Sequence, residues 1–167
     1  MDITNLEEAL STGMADIQTI YNSLNIRAKE IVKNYTKQID DLIKTVSENI
    51  NNLTNEDIRG IELKLSLMSY DLGELKDKTS IVAEIAEIIQ DETEANAWNT
   101  AIGNNEQRKN AALLAASKEK FVAKLYKLVA NQIKTKLDEA HRVVDTLKSI
   151  LISRASDRKL TDNYEGQ

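Results

Sequence analysis

Few residues in this chain are of types that commonly do chemistry: there is one histidine and no cysteine in 167 residues. His141 stands beside Arg142, with Asp138 one helical turn before it and Asp145 one turn after. On a helix that spacing puts the imidazole and both carboxylates on one face. One imidazole and two carboxylates make a thin donor set for a metal, and the rim of any charged helix offers such groupings, so His141 reads as a solvated rim residue. The carboxylate pairs Glu7-Glu8 and Asp40-Asp41 are adjacent, so on a helix they point in different directions and do not converge on one substrate. No His-Glu-x-x-His, phosphate-cradling glycine loop or nucleophile elbow is present. Lack of cysteine removes a disulfide framework and thiolate metal sites. The expectation is a non-enzymatic protein with no catalytic residue, no metal and no cofactor.

One other stretch is distinctive: Gly103-Asn104-Asn105-Glu106-Gln107-Arg108. Asn104 or Asn105 is placed to cap a helix, its side-chain oxygen accepting from a free N–H of the first turn. With Asn104 as the cap, Gln107 falls at the third helical position and reaches back, as in a capping box. Gly103 tolerates a positive φ just ahead of it. Capping explains the asparagine and the glycine; it does not explain Arg108. Trp98, the only tryptophan, precedes this turn in a less periodic connector. It reads either as a plug at the end of a bundle or as an anchor at an interface, where tryptophan is over-represented. The candidate partner-binding residues are therefore Trp98, Asn104, Asn105, Arg108 and Lys109.

The run from Ile102 to Ser117, IGNNEQRKNAALLAAS, followed by a Lys/Leu-rich helix, resembles the Gly-x-Asn-x-x-x-Arg helix starts of small helical proteins from phages of low-GC Gram-positive bacteria. The resemblance rests on Gly103, Asn104 or Asn105, Arg108 and the Ala/Leu run, over about residues 101–152. It implies an early-region accessory protein encoded near recombination genes.

The elements around these residues are helical. There is no proline, there are five glycines, and aromatic residues are 4% and charged residues 29% of the chain, which suits long helices and opposes a sheet. Ile3, Leu10, Ile17, Leu24 and Ile31 repeat by seven, and from Val32 the seam steps by one through Tyr35, Ile39, Leu42 and Val46. That predicts a first helix over about 3–50, with Gly13 and Asn22-Ser23 as weak points. Asn51 to Asn55 forms a turn, and Thr54 with Asp57 reads as a capping pair. The second helix, about 55–92, carries two heptad rows. One is Ile58, Leu65, Leu72, Thr79 and Ala86; the other is Ile61, Met68, Leu75, Val82 and Ile89. A further set, Leu67, Tyr70, Ile81, Ile85 and Ile88, widens the apolar face, so this helix wants two neighbours. The third helix, about 105–153, buries a stripe from Leu125 to Leu151, and its run Ala111 to Ala116 is suited to tight packing. From Arg154 the apolar content falls, which predicts a flexible polar tail over 154–167.

Three long helices joined by short turns fold back on one another. The expected fold is all-α, an elongated antiparallel three-helix bundle or coiled coil, with a single domain over 1–153. A thin rod leaves apolar stripes uncovered, so self-association, most simply a dimer, is expected. No uninterrupted apolar run is long enough to cross a membrane, and the acidic N-terminus lacks a signal-peptide pattern; the expected location is cytoplasmic, in the host cell if the protein is of phage origin. Charge is uneven: residues 55–95 carry eleven acids and four bases, and residues 104–154 five acids and eleven bases. Pairing of these two segments along their rims is the plain use of that asymmetry.

The leading functional expectation is a phage-encoded interaction protein. It would use its helical surface and the Trp98–Lys109 corner to bind and inhibit a host protein, such as a nuclease or a CRISPR-type defence component. The alternative is a recombination or replication accessory protein that binds single-stranded DNA, or its annealing protein, through the basic third helix. That helix carries Lys118, Lys120, Lys124, Lys127, Lys134 and Lys136, but only Phe121 and Tyr126 could stack on bases.

Overall fold

The computed structural model describes the backbone of residues 17–165 and the side chains of residues 22–157. The heptad residues Ile3 and Leu10, the side chain of Ile17, and the start of the first helix lie outside them. Every element among the described residues is an α-helix: α1 (Ile17–Asn49), α2 (Asn55–Thr100), α3 (Asn105–Ala115) and α4 (Ser117–Glu165). The fold is all-α and its long helices are those of a bundle. Among the described residues the expected third helix is two, because it is interrupted at Ala116. The break is one residue long: Ala116 N–H donates to Ala112 O and Leu114 O, and Ala116 O accepts from Lys120 N–H, so the hydrogen-bond ladder is barely lost.

Two further boundaries differ from expectation. The connector around Trp98 is helical, since α2 continues to Thr100. Nothing in 93–100 breaks a helix: the segment has no glycine or proline, and Thr93 and Thr100 bond back to carbonyls of the preceding turn, at Ile89 and Asn96. At the other end α4 runs to Glu165, through residues whose composition suggested a tail.

The helices form two compact units. The first combines the chain up to Lys33 with Leu75–Gln132; the second combines Asn34–Glu74 with Ile133–Gln167. In the second unit the core is branched and aliphatic. α1 supplies Ile39 and Val46, α2 supplies Ile58, Ile61, Leu65 and Leu72, and α4 supplies Ile133, Leu137, Val144 and Leu147. These are the expected heptad and stripe positions, and Leu65, Ile133 and Leu147 are wholly enclosed. Tyr35, expected in the α1 seam, is 57% exposed, and Thr36 is buried in its stead. The α1 stripe steps through Val32, Thr36 and Ile39, and a threonine fits there because its Oγ1 donates to Asp40 Oδ2 at 3.4 Å.

A polar cluster joins α1 to α4 in this unit. Lys136 Nζ donates to Asp40 Oδ1 at 2.7 Å and to Glu139 Oε2 at 2.8 Å. The bond to Asp40, then that to Glu139, holds the lysine above its ordinary pKa against a smaller opposing effect of burial. A raised folded-state value means that the cluster's stabilisation is fully present below about 10.5, the unfolded value, and fades as pH rises through the folded value. Lys136→Met should therefore cost about 0.5–1 kcal/mol at neutral pH, the scale of a partly exposed pair, and should flatten the fall in urea-unfolding stability at alkaline pH. An unchanged alkaline slope in that variant would refute the assignment.

The first unit is built differently. Its buried residues are mostly alanine: Ala28 on α1, Ala83 and Ala86 on α2, Ala112 on α3, Ala116 at the break, and Ala123 and Ala130 on α4, with Leu24, Val32, Leu125 and Val129 among them. The second heptad row of α2 fails here. Ile61 is buried in the other unit, but Val82 and Ile89 are exposed and Ala83 takes the inward position. Cross-helix polar contacts in this unit include Lys127 with Glu87, and Gln132 Nε2 donating to Asn25 Oδ1 at 2.9 Å. The Lys127–Glu87 pair joins basic α4 to acidic α2, as the charge distribution suggested.

Candidate functional site

The turn between α2 and α3 lies in the first unit. Asn104 is the N-cap, extended at φ −74° and ψ 172°. Its Oδ1 accepts from Gln107 N–H at 3.0 Å, while Gln107 Oε1 accepts from Asn104 N–H at 3.0 Å. This is the reciprocal box expected from the spacing, and it assigns the cap to Asn104; Asn105 is the first helical residue. Gly103 adopts φ +134°, and a Cβ there would strike the Gln107 side chain. The glycine is thus required both by the backbone and by the returning glutamine. Asn104→Ala should cost about 1 kcal/mol, and Gly103→Ala more, read as midpoints of urea unfolding; equal stability of both variants to wild type would show that the turn is not rigidly held.

Trp98 sits on the last turn of α2 and is 37% exposed, neither plugging a core nor standing free. Asn104, Asn105 and Lys109 are exposed. Arg108 is half-buried, and its Nε is shielded from solvent with no hydrogen-bond partner; Glu119 Oε2, near the start of α4, is in the same condition. Trp98 and the four residues from Asn104 to Lys109 thus fall on either side of one turn, but no hydrogen bond or ion pair joins Trp98 to Arg108.

The surroundings of this corner are more apolar than the sequence suggested. Ile102, between the helices, is 98% exposed, and Leu113 and Leu114 on α3 are exposed as well. The Ala/Leu run does pack, but through Ala112 and Ala116, with its leucines turned outward. Lys109 and Leu113 are one turn apart and share a face of α3. Ile102 could have been suspected from its position between a helix end and a glycine; the leucines could not, since either the small or the large residues of such a run can turn inward.

The other chemically suggestive group is in the second unit. His141, Asp145 and Lys148 of α4 line an open groove of about 530 Å³ with Ser66, Ser69 and Tyr70 of α2. Ser69 is buried and its Oγ has no partner. A serine–histidine–carboxylate relay requires hydrogen bonds between successive members, and none links Ser69, His141 and Asp145. Among the described residues no group of three or more His, Asp or Glu side chains could hold a metal ion. A second groove, about 330 Å³, is lined by Ile43, Thr135, Glu139, Arg142, Val143 and Thr146 and gathers no such set.

On basic α4, Lys127 and Lys136 are engaged by Glu87 and by Asp40 with Glu139. Phe121 and Tyr126, the aromatics expected to stack on bases, are only partly exposed. Among the described residues no helix is long and apolar enough to cross a membrane.

Comparison with protein-family models, with curated proteins and with solved structures finds no match to this chain.

Proposed function

We propose that the chain is a non-enzymatic interaction protein whose α2–α3 corner binds another protein, and that, in keeping with its resemblance to phage early-region proteins, the target is a host protein such as a nuclease or defence component that it inhibits. One observation carries this reading: Trp98 and Ile102 are exposed beside a turn fixed by a capping box, and Leu113 and Leu114 are exposed further along α3. Exposed apolar side chains at a rigid position are what a protein partner buries, and rigidity reduces the ordering cost of binding. Lys109 and Arg108 add positive charge beside them, which steers an acidic surface.

The test is affinity capture from nuclease-treated host lysate with wild type, Arg108→Ala and Trp98→Ala/Ile102→Asp in parallel. A protein retained by wild type and lost by the corner variants, whose activity falls when the chain is added, is the expected result. Equal capture by all three chains would reject the corner. Recovery only of single-stranded DNA when nuclease is omitted would replace this reading with the recombination-accessory one.

A further inference from the structure

The first unit is inverted along α2. Over residues 79–86 the helix turns Thr79, Ala83 and Ala86 toward the chain's own core. Half a turn away, Ile81, Ile85 and Ile88 are exposed, Ile85 to 50%, with Val82 and Ile89 exposed beside them. The bulkiest β-branched residues of the segment thus face outward and the smallest inward. An exposed aliphatic row of this kind marks a binding surface more often than a bare surface.

The spacing of the row is that of a coiled-coil seam. Ile81 and Ile88 are seven apart, Ile85 lies between them, and Lys78 and Glu92 close the row one turn beyond at either end. Along one edge Asp77, Glu84 and Asp91 repeat by seven and are all exposed. In a coiled coil, residues at these flanking positions face the flanking residues of the partner helix and select it by charge.

The edge also argues against a second copy of this chain. Two copies meeting antiparallel through the seam would set the two acidic edges against each other. Two copies meeting in parallel would stack Lys78 on Lys78 and Glu92 on Glu92. The chain's own N-terminal residues 1–16 carry four acids and no base, so they too are mismatched to the edge.

We infer that the outer face of α2 between Lys78 and Glu92 docks an amphipathic helix of another protein, with an aliphatic seam and lysine or arginine at its flanking positions. The seam spans roughly 20 Å, about four turns. The inference rests on the reading of this chain as a protein-binding module, but it uses a surface separate from the corner.

Two synthetic helical peptides of about four turns test it against the full chain: one with isoleucine and leucine at the seam and lysine at the flanks, the other identical but with glutamate at the flanks. Titration calorimetry should show the lysine peptide binding at least tenfold tighter, with an affinity that falls as salt rises. Asp77→Lys/Glu84→Lys/Asp91→Lys should reverse the order of the two peptides. Ile85→Asp should abolish binding while leaving the circular dichroism melt intact. Trp98→Ala/Ile102→Asp should leave peptide binding unchanged, so failure of the corner and failure of the seam are separately visible. Equal affinity for both peptides, or no binding of either, would overturn the inference. So would sedimentation showing a wild-type dimer that Ile85→Asp makes monomeric, because the occupant would then be a second copy.

Discussion

Leu147→Ala is expected to lower the unfolding free energy by roughly 3 kcal/mol, and Ile85→Ala to change it by no more than about 0.5 kcal/mol. The two side chains are of similar size and both lie on long helices. Leu147 is fully enclosed in the aliphatic core of the second unit, so its loss removes the burial of three carbons' worth of surface and leaves a cavity that its branched neighbours fill only partly. Ile85 is half exposed on the outer face of α2, where alanine is the better helix former and little packing is lost. Urea unfolding of both variants measures the contrast. A large loss on Ile85→Ala would mean that this face is covered in the folded chain, and both the fold of the first unit and the proposed docking surface would have to be redrawn.

Arg154→Ala should cost roughly 2 kcal/mol, the scale of several hydrogen bonds from a charged donor. Its Nη1 donates to Leu53 O at 2.7 Å and to Asn55 Oδ1 at 3.2 Å, and its Nη2 to Ile50 O at 3.3 Å. One guanidinium thereby ties α4 to the turn between α1 and α2 within the second unit. Arg154→Lys should recover little of the loss, because one ammonium lacks the planar fork that meets three acceptors at once. A chain ending at Ser153 should be as destabilised as Arg154→Ala, whereas one ending at Asp157 should keep most of the stability. An unchanged unfolding midpoint in Arg154→Ala would show the clamp to be open in solution.

The same turn shows how local rules succeed. Thr54 and Asp57 form their reciprocal cap, with Thr54 Oγ1 accepting from Asp57 N–H at 3.1 Å and Asp57 Oδ2 accepting from Thr54 N–H at 3.0 Å. The Thr54 hydroxyl, then its backbone N–H, holds the Asp57 carboxyl below its ordinary value. That contribution is present above 3.8 and is lost as pH falls through the lowered folded value. A cap lies within four residues of sequence, so spacing and residue type suffice to find it. Arg154 sits about a hundred residues from its acceptors, and nothing nearby in sequence separates it from the other bases of a polar C-terminal segment.

For the candidate site the same division holds. The box at Asn104 and Gln107 and the glycine ahead of it were legible from residue type and spacing, because each partner is three residues away. The exposure of Leu113 and Leu114 was not, because burial depends on which neighbours a helix meets.

By itself the sequence determined the all-helical class, the two capped turns and most of the core of the second unit, but not the break at Ala116 or the reach of α2 to Thr100 and of α4 to Glu165. There the buried aliphatics of α1, α2 and α4 recur at heptad spacing, and burying those faces against one another removes apolar surface from water, while Leu63, Leu67 and Tyr70 of α2 stay exposed. In the first unit α2 carries two rows, one of isoleucines and one of small residues, and periodicity says only which residues share a face. Tertiary structure decided which row turns inward. Alanines face inward from all the described helices of this unit while the isoleucines of α2 stand outside, and small inward side chains are what allow helices to pack closely.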